Sequence, residues 1–135
     1  MKKPMIQPFS YGADNILKVE LDIFSGRENP FWNLSQNESE TFMEKFASLP
    51  ETKENVSFGG GLGYRGIIIT GESIKDKSLD EIKIYRGLVN ARAEGHVLIL
   101  SDPGRTLELW LIETGEKHID GDLYEQVRHE IAAVL

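Results

Sequence analysis

The sequence predicts an α+β fold in a single domain: a sheet of about four strands with about three helices, in the order strand, helix, three strands, two helices. Three observations lead there. Leu17, Val19, Leu21 and Ile23 alternate with Lys18, Glu20 and Asp22, the period of a half-buried strand. Phe42, Phe46 and Leu49 recur at helical spacing behind a capping signature. Several short apolar runs then follow one another closely, which keeps the strands together and the helices apart from them. A length of 135 residues fits one domain with a core of its own.

Residues 1–15 contain Pro4, Pro8, Gly12, Asp14 and Asn15 without periodicity and read as a flexible N-terminal arm, leaving 16–135 as the globular domain. After the first strand comes Phe24-Ser25-Gly26-Arg27-Glu28-Asn29-Pro30-Phe31-Trp32, a turn-rich loop. Ser35 and Glu38 have capping-box spacing, so a helix is expected from Gln36 to Leu49, with Pro50 stopping it. Ile67-Ile68-Ile69 is β-branched and bounded by glycines, a buried strand within Tyr64–Thr70. Ile82 and Ile84 alternate with Glu81, Lys83 and Tyr85 in a strand running through Arg86 toward Val89, and Val97–Leu100 forms a further short strand. The stretch 103–114 is ambiguous, because Leu107, Leu109 and Leu111 alternate as in a strand. Helix is preferred: Asp102 stands as N-cap, Pro103 as the first helical residue and Gly115 as the stop. Leu123, Val127, Ile131 and Val134 line one face of a last helix that begins near Asp122.

Charge and composition exclude several function classes. A formal net charge of −7 opposes binding to nucleic acid, which needs Lys and Arg to displace counterions, and opposes adhesion to anionic membranes. The chain has no cysteine, so disulfides, thiol chemistry and Cys-based metal sites are excluded. No apolar run resembles a signal peptide or membrane span, which makes a cytoplasmic location the expectation.

Most motif matches favour ordinary structure. Gly61-Leu62-Gly63-Tyr64-Arg65-Gly66 fits G-x-G-x-x-G, but a strand follows where a dinucleotide site needs a helix. The bland reading is a glycine loop entering a closely packed strand; the functional one keeps Tyr64 and Arg65 at the loop mouth for something anionic. His118-Ile119-Asp120-Gly121-Asp122 gathers metal-ligating types without the further oxygens that a calcium loop requires. Helix capping by Asp120 or Asp122 is the simpler role, and no metal or cofactor is expected. No nucleophile elbow and no H-E-x-x-H occurs.

The first loop is the richest segment. Arg27 offers a planar donor fork for a carboxylate or phosphate, Asn29 is restricted by Pro30, and Trp32 is either an interface anchor or part of the core. The structural reading has Arg27 tethering the loop to an internal carboxylate while Phe31 and Trp32 pack over the first helix. Asp22 is expected to pair with a nearby arginine.

Three blocks together resemble a family of small uncharacterised microbial proteins: Val19 to Ser35, Gly61 to Gly66, and Asp102-Pro103-Gly104-Arg105 with Leu107-Glu108 and Trp110-Leu111. Its hallmark is a strand ending in Asp-x-Phe-Ser-Gly-Arg-x-Asn-Pro-x-Trp. The resemblance implies that Arg27, Asn29, Pro30 and Trp32 form one hallmark and Tyr64-Arg65 a second, and it implies no activity. The function expected is a non-enzymatic binding domain using the Ser25–Trp32 and Gly59–Gly66 loops, with Arg27, Asn29, Trp32, Tyr64 and Arg65 as its binding residues. Its partner would be a protein or a small anionic ligand. The alternatives are a small hydrolase or transferase with Asp22 or a His as base and an arginine holding an anion, and an acidic inhibitor or immunity-type protein.

Overall fold

The computed structural model describes residues 16–53, 63–75, 79–93 and 95–133. The arm expected at 1–15, the 59–62 part of the glycine loop and Val134 of the last helix lie outside the described residues. Among the described residues the sheet has six strands: β1 (Lys18–Leu21), β2 (Phe31–Asn33), β3 (Ile67–Thr70), β4 (Glu81–Tyr85), β5 (Leu88–Ala93) and β6 (His96–Ser101). Their spatial order is β2-β1-β3-β4-β5-β6, and every neighbouring pair is antiparallel. The helices are α1 (Gln36–Ala47), the short α2 (Glu72–Lys75), α3 (Thr106–Thr114) and α4 (Gly121–Ala132), with a 3-10 turn at Pro103–Arg105.

The α+β class and single domain stand, while the expected four strands become six. One extra strand comes from the single strand expected to run from Ile82 toward Val89. Arg86 and Gly87 have φ of 52° and 85°, so both turn residues are left-handed and the chain reverses as a two-residue hairpin of primed type. Tyr85 and Leu88 then face each other across the turn. The other is β2, which lies inside the aromatic end of the first loop and pairs Trp32 with Val19.

One face of the sheet is a continuous apolar layer, because cross-strand partners share a face. Val19 sits between Trp32 and Ile69, Ile67 between Leu21 and Ile84, and Ile82 between Ile69 and Ala91; all are buried. Phe42 and Phe46 of α1, Leu107, Leu111 and Ile112 of α3, and Tyr124, Val127 and Ile131 of α4 belong to the same core. The capping box forms as read: Ser35 Oγ accepts from the Glu38 N–H and Glu38 accepts from the Ser35 N–H. Ser39, buried within α1, accepts from the Leu17 N–H at 3.0 Å and fixes the helix to the start of β1.

Helix is correct for most of 103–114. Asp102 caps it from further back than expected: its two carboxylate oxygens accept from the N–H groups of Leu107 (2.8 Å) and Glu108 (3.0 Å). Pro103 opens the 3-10 turn, and Gly115 ends α3. Asp120 caps α4 by accepting from the Leu123 N–H.

Candidate functional site

The loop between β1 and β2 is held at several points along its length. Asn29 is the internal clamp: its Oδ1 accepts from the N–H groups of Ile23 (3.1 Å) and Phe24 (2.8 Å), and its Nδ2 donates to Glu20 (3.0 Å). Pro30 contributes a carbonyl to the Leu21 N–H at 3.0 Å. A side-chain amide that accepts from two successive main-chain N–H groups replaces the ladder where the strand ends, so the turn keeps its shape.

Arg65 holds the loop from the other side. Antiparallel pairing carries the chain just ahead of β3 past Asp22, with Asp22 N–H to Gly66 C=O at 3.0 Å and Arg65 N–H to Asp22 C=O at 2.8 Å. The Arg65 guanidinium therefore reaches the Asp22 carboxylate (2.9 and 3.2 Å), the Phe24 carbonyl (2.9 Å) and Ser25 Oγ (3.5 Å). Lys83 donates to the second Asp22 oxygen at 2.9 Å. Burial alone would raise the Asp22 carboxyl, but the hydrogen bonds and charges of Lys83 and Arg65 outweigh it and hold the group below its ordinary value.

The loop carboxylate thus belongs to Arg65, and the expected tether through Arg27 is replaced. Arg27 is exposed and lies over the Phe24 ring, its guanidinium carbon 3.7 Å from the centroid. Among the described residues it makes no ion pair. Phe31 departs from the expected packing over the first helix, while Trp32 shares the buried core with Phe42 and Phe46 of that helix. Phe31 is 48% exposed with the Lys18 ammonium above its ring, while Trp32 is buried, donates from Nε1 to Thr114 Oγ1 at 2.9 Å and packs against Gly115 at the end of α3.

Tyr64 is drawn inward as well. Its hydroxyl donates to Glu108, a carboxylate that is fully buried in α3. Glu108 also accepts from Arg105 Nε (2.8 Å) and Nη2 (2.7 Å) and from the Arg86 N–H (3.0 Å). Burial, followed by the charge and hydrogen bond of Glu108, pushes the Tyr64 hydroxyl well above its ordinary pKa. Burial tends to lower Arg105, yet its bonds to Glu108 raise it on balance. Asp102, also buried, is raised because burial exceeds the stabilisation from its two backbone donors. This cluster satisfies itself inside the protein and is structural. Sequence reading missed Glu108, Arg105 and Asp102 as a unit. The available signal was a carboxylate amid Leu107, Leu109, Trp110, Leu111 and Ile112, where few faces of the helix are left for water.

On the outer side of the loop a groove of about 590 Å³ opens between Phe24, Arg27 and Phe31 on one wall and His118, Ile119 and Leu123 on the other. The second wall is the α3–α4 connection with the first turn of α4, the segment noted for its His and Asp residues. Two motifs 85 or more residues apart are therefore neighbours, although Asp120 is committed to capping α4. Of the five candidate residues, Arg27 faces this groove with an unpaired head group; Asn29 borders it with its amide turned to Glu20, and Trp32, Tyr64 and Arg65 hold the scaffold beneath. Among the described residues no group of three or more His, Asp or Glu side chains is placed to hold a metal ion, and no helix is long and apolar enough to cross a membrane. No family model, curated protein or solved structure matches the chain.

Proposed function

We propose that this protein is a non-enzymatic binding module whose ligand lies in the groove between the Ser25–Trp32 loop and the α3–α4 connection, with Arg27 as the group that engages it. One observation carries the reading: Arg27 is an exposed guanidinium without an acidic partner among the described residues, mounted on a loop that is otherwise tied down. Rigid presentation of an Arg beside exposed aromatic surface suits recognition, because little ordering remains to be done on binding. The Gly63–Gly66 part of the second loop serves this surface from behind, through Arg65.

A small hydrolase or transferase is the second reading, favoured by the presence of His118 in the same groove as Arg27. It ranks lower because a general base needs an orienting partner, and among the described residues nothing orients the His118 imidazole.

Ligand enrichment tests the proposal. Purified protein is dialysed against a small-molecule extract, and the retained compounds are read by mass spectrometry for the native chain, Arg27→Ala and Phe31→Ala. Both side chains are exposed, so the variants should fold, which circular dichroism checks. Compounds retained by the native protein and lost from both variants support the reading. Equal retention by Arg27→Ala, or no retention by any form, refutes it.

A further inference from the structure

The groove also constrains the chemistry of what fills it; this step rests on the binding-module reading above. The Arg27 guanidinium lies over Phe24, its carbon 3.7 Å from the ring centroid, and such a contact uses the π face of the cation. The N–H donors lie in the guanidinium plane, so the fork that grips a planar anion by two parallel bonds stays available. Beside it the walls are apolar: Phe31 is 48% exposed, and Ile119 and Leu123 are half-buried. A volume of about 590 Å³ lies within the range of small-molecule sites, which span roughly 300–1,000 Å³.

Formal charge sets a further limit. Glu28 and Asp120 border the groove with Arg27, while Asn29 commits one N–H of its amide to Glu20. Among the lining residues one guanidinium stands with two carboxylates, and the nearby Lys18 ammonium is occupied over the Phe31 ring, so a second negative charge on a ligand would meet repulsion where a single one meets a partner. That disfavours phosphates and dicarboxylates. We infer that the groove takes a small amphipathic monocarboxylate, its carboxylate forked by Arg27 and its apolar body lying against Phe31, Ile119 and Leu123.

Titration of ¹⁵N-labelled protein followed by NMR tests this with three probes: 4-phenylbutyrate, its neutral analogue 4-phenylbutanol, and inorganic phosphate. The expected result is that 4-phenylbutyrate shifts amide signals of the loop and the 118–123 segment with at least tenfold higher affinity than either other probe. Arg27→Ala should abolish that preference, and Arg27→Lys, a point charge without a fork, should recover only part of it. Phe31→Ala should weaken both organic probes alike. Phosphate binding as tightly as the carboxylate, the alcohol binding equally well, or no probe shifting these signals each overturns the ligand class. The enrichment experiment separates this failure from failure of the module itself: compounds retained through Arg27 that are not monocarboxylates leave the groove in use and the inferred chemistry wrong.

Discussion

Glu108→Gln is the sharpest probe of how this fold is held. The substitution keeps the size of the side chain and removes its charge. In the native protein the carboxylate accepts from Arg105 at 2.7 and 2.8 Å, from the Arg86 N–H at 3.0 Å and from the Tyr64 hydroxyl. An amide supplies one acceptor oxygen and one NH2, so the NH2 must face a donor of Arg105 whichever way it is flipped. Arg105, almost wholly buried, would also lose its countercharge. Removing one partner of a buried ion pair typically costs about 3–5 kcal/mol, much of it the unpaired charge left behind. With an unfolding entropy of about 2.1 cal/mol/K per residue, that corresponds to a fall in Tm of roughly 10–18 °C for a chain of 135 residues. Guanidinium denaturation should show a lower midpoint at unchanged m, and calorimetry the lower Tm. The double variant Glu108→Met with Arg105→Met removes both charges but leaves the Tyr64 hydroxyl and the Arg86 N–H without their acceptor, at about 1–3 kcal/mol each, so it should remain destabilised. A loss below about 1 kcal/mol in Glu108→Gln, or no coupling between positions 105 and 108 in a double-mutant cycle, would refute the reasoning.

Three further outcomes follow from local geometry. Gly115→Ala would place a Cβ 2.6–2.8 Å from three atoms of the Trp32 indole, a buried ring tethered to Thr114, and overpacking of this kind costs about 1–3 kcal/mol in denaturation; an unchanged midpoint would show that the ring moves freely. Ser35→Ala removes the side-chain half of the capping box and should cost about 1 kcal/mol, with a matching loss of Tm. The Asp22 carboxyl is held below its ordinary pKa, so the stability it contributes is present above an unfolded value of about 4 and is lost as pH falls through the depressed folded value. The stability gap between the native protein and Asp22→Asn should therefore narrow on acidification below about pH 4, and a gap that stays constant would contradict the assignment.

What was legible in the sequence was local. The alternation of Leu17 to Ile23, the Ser35–Glu38 box and the end of α3 at Gly115 each depend on residues a few positions apart, and each appears as read. The β4–β5 hairpin left a trace that went unused: apolar parity changes from even (Ile82, Ile84) to odd (Val89, Ala91), which is what a two-residue turn between paired strands produces. Both arginines stand out in the sequence as candidate binding residues, but which of them the Asp22 carboxylate takes was not legible. Arg27 is five residues from Asp22 and Arg65 is forty-three, so proximity along the chain favoured the wrong one. Only the pairing of β1 with β3 brings Arg65 to the carboxylate.

That exchange of partners bears directly on the loop's role. Had Arg27 closed the ion pair with Asp22, its guanidinium would be committed to the scaffold and the loop would present little beyond aromatic surface. Because Arg65 contacts Asp22, the Phe24 carbonyl and Ser25 together, and Lys83 occupies the second Asp22 oxygen, both carboxylate oxygens are engaged without Arg27. Asn29 anchors the remaining turn through Ile23, Phe24 and Glu20. The loop's shape therefore depends on Asp22, Asn29 and Arg65, and its exposed chemistry on Arg27 and Phe31. The two sets separate by experiment: Arg65→Ala should lower stability and weaken binding together, whereas Arg27→Ala should weaken binding at unchanged Tm. A loss of several degrees in Arg27→Ala would mean that this guanidinium supports the fold, and the binding reading would lose the observation on which it stands.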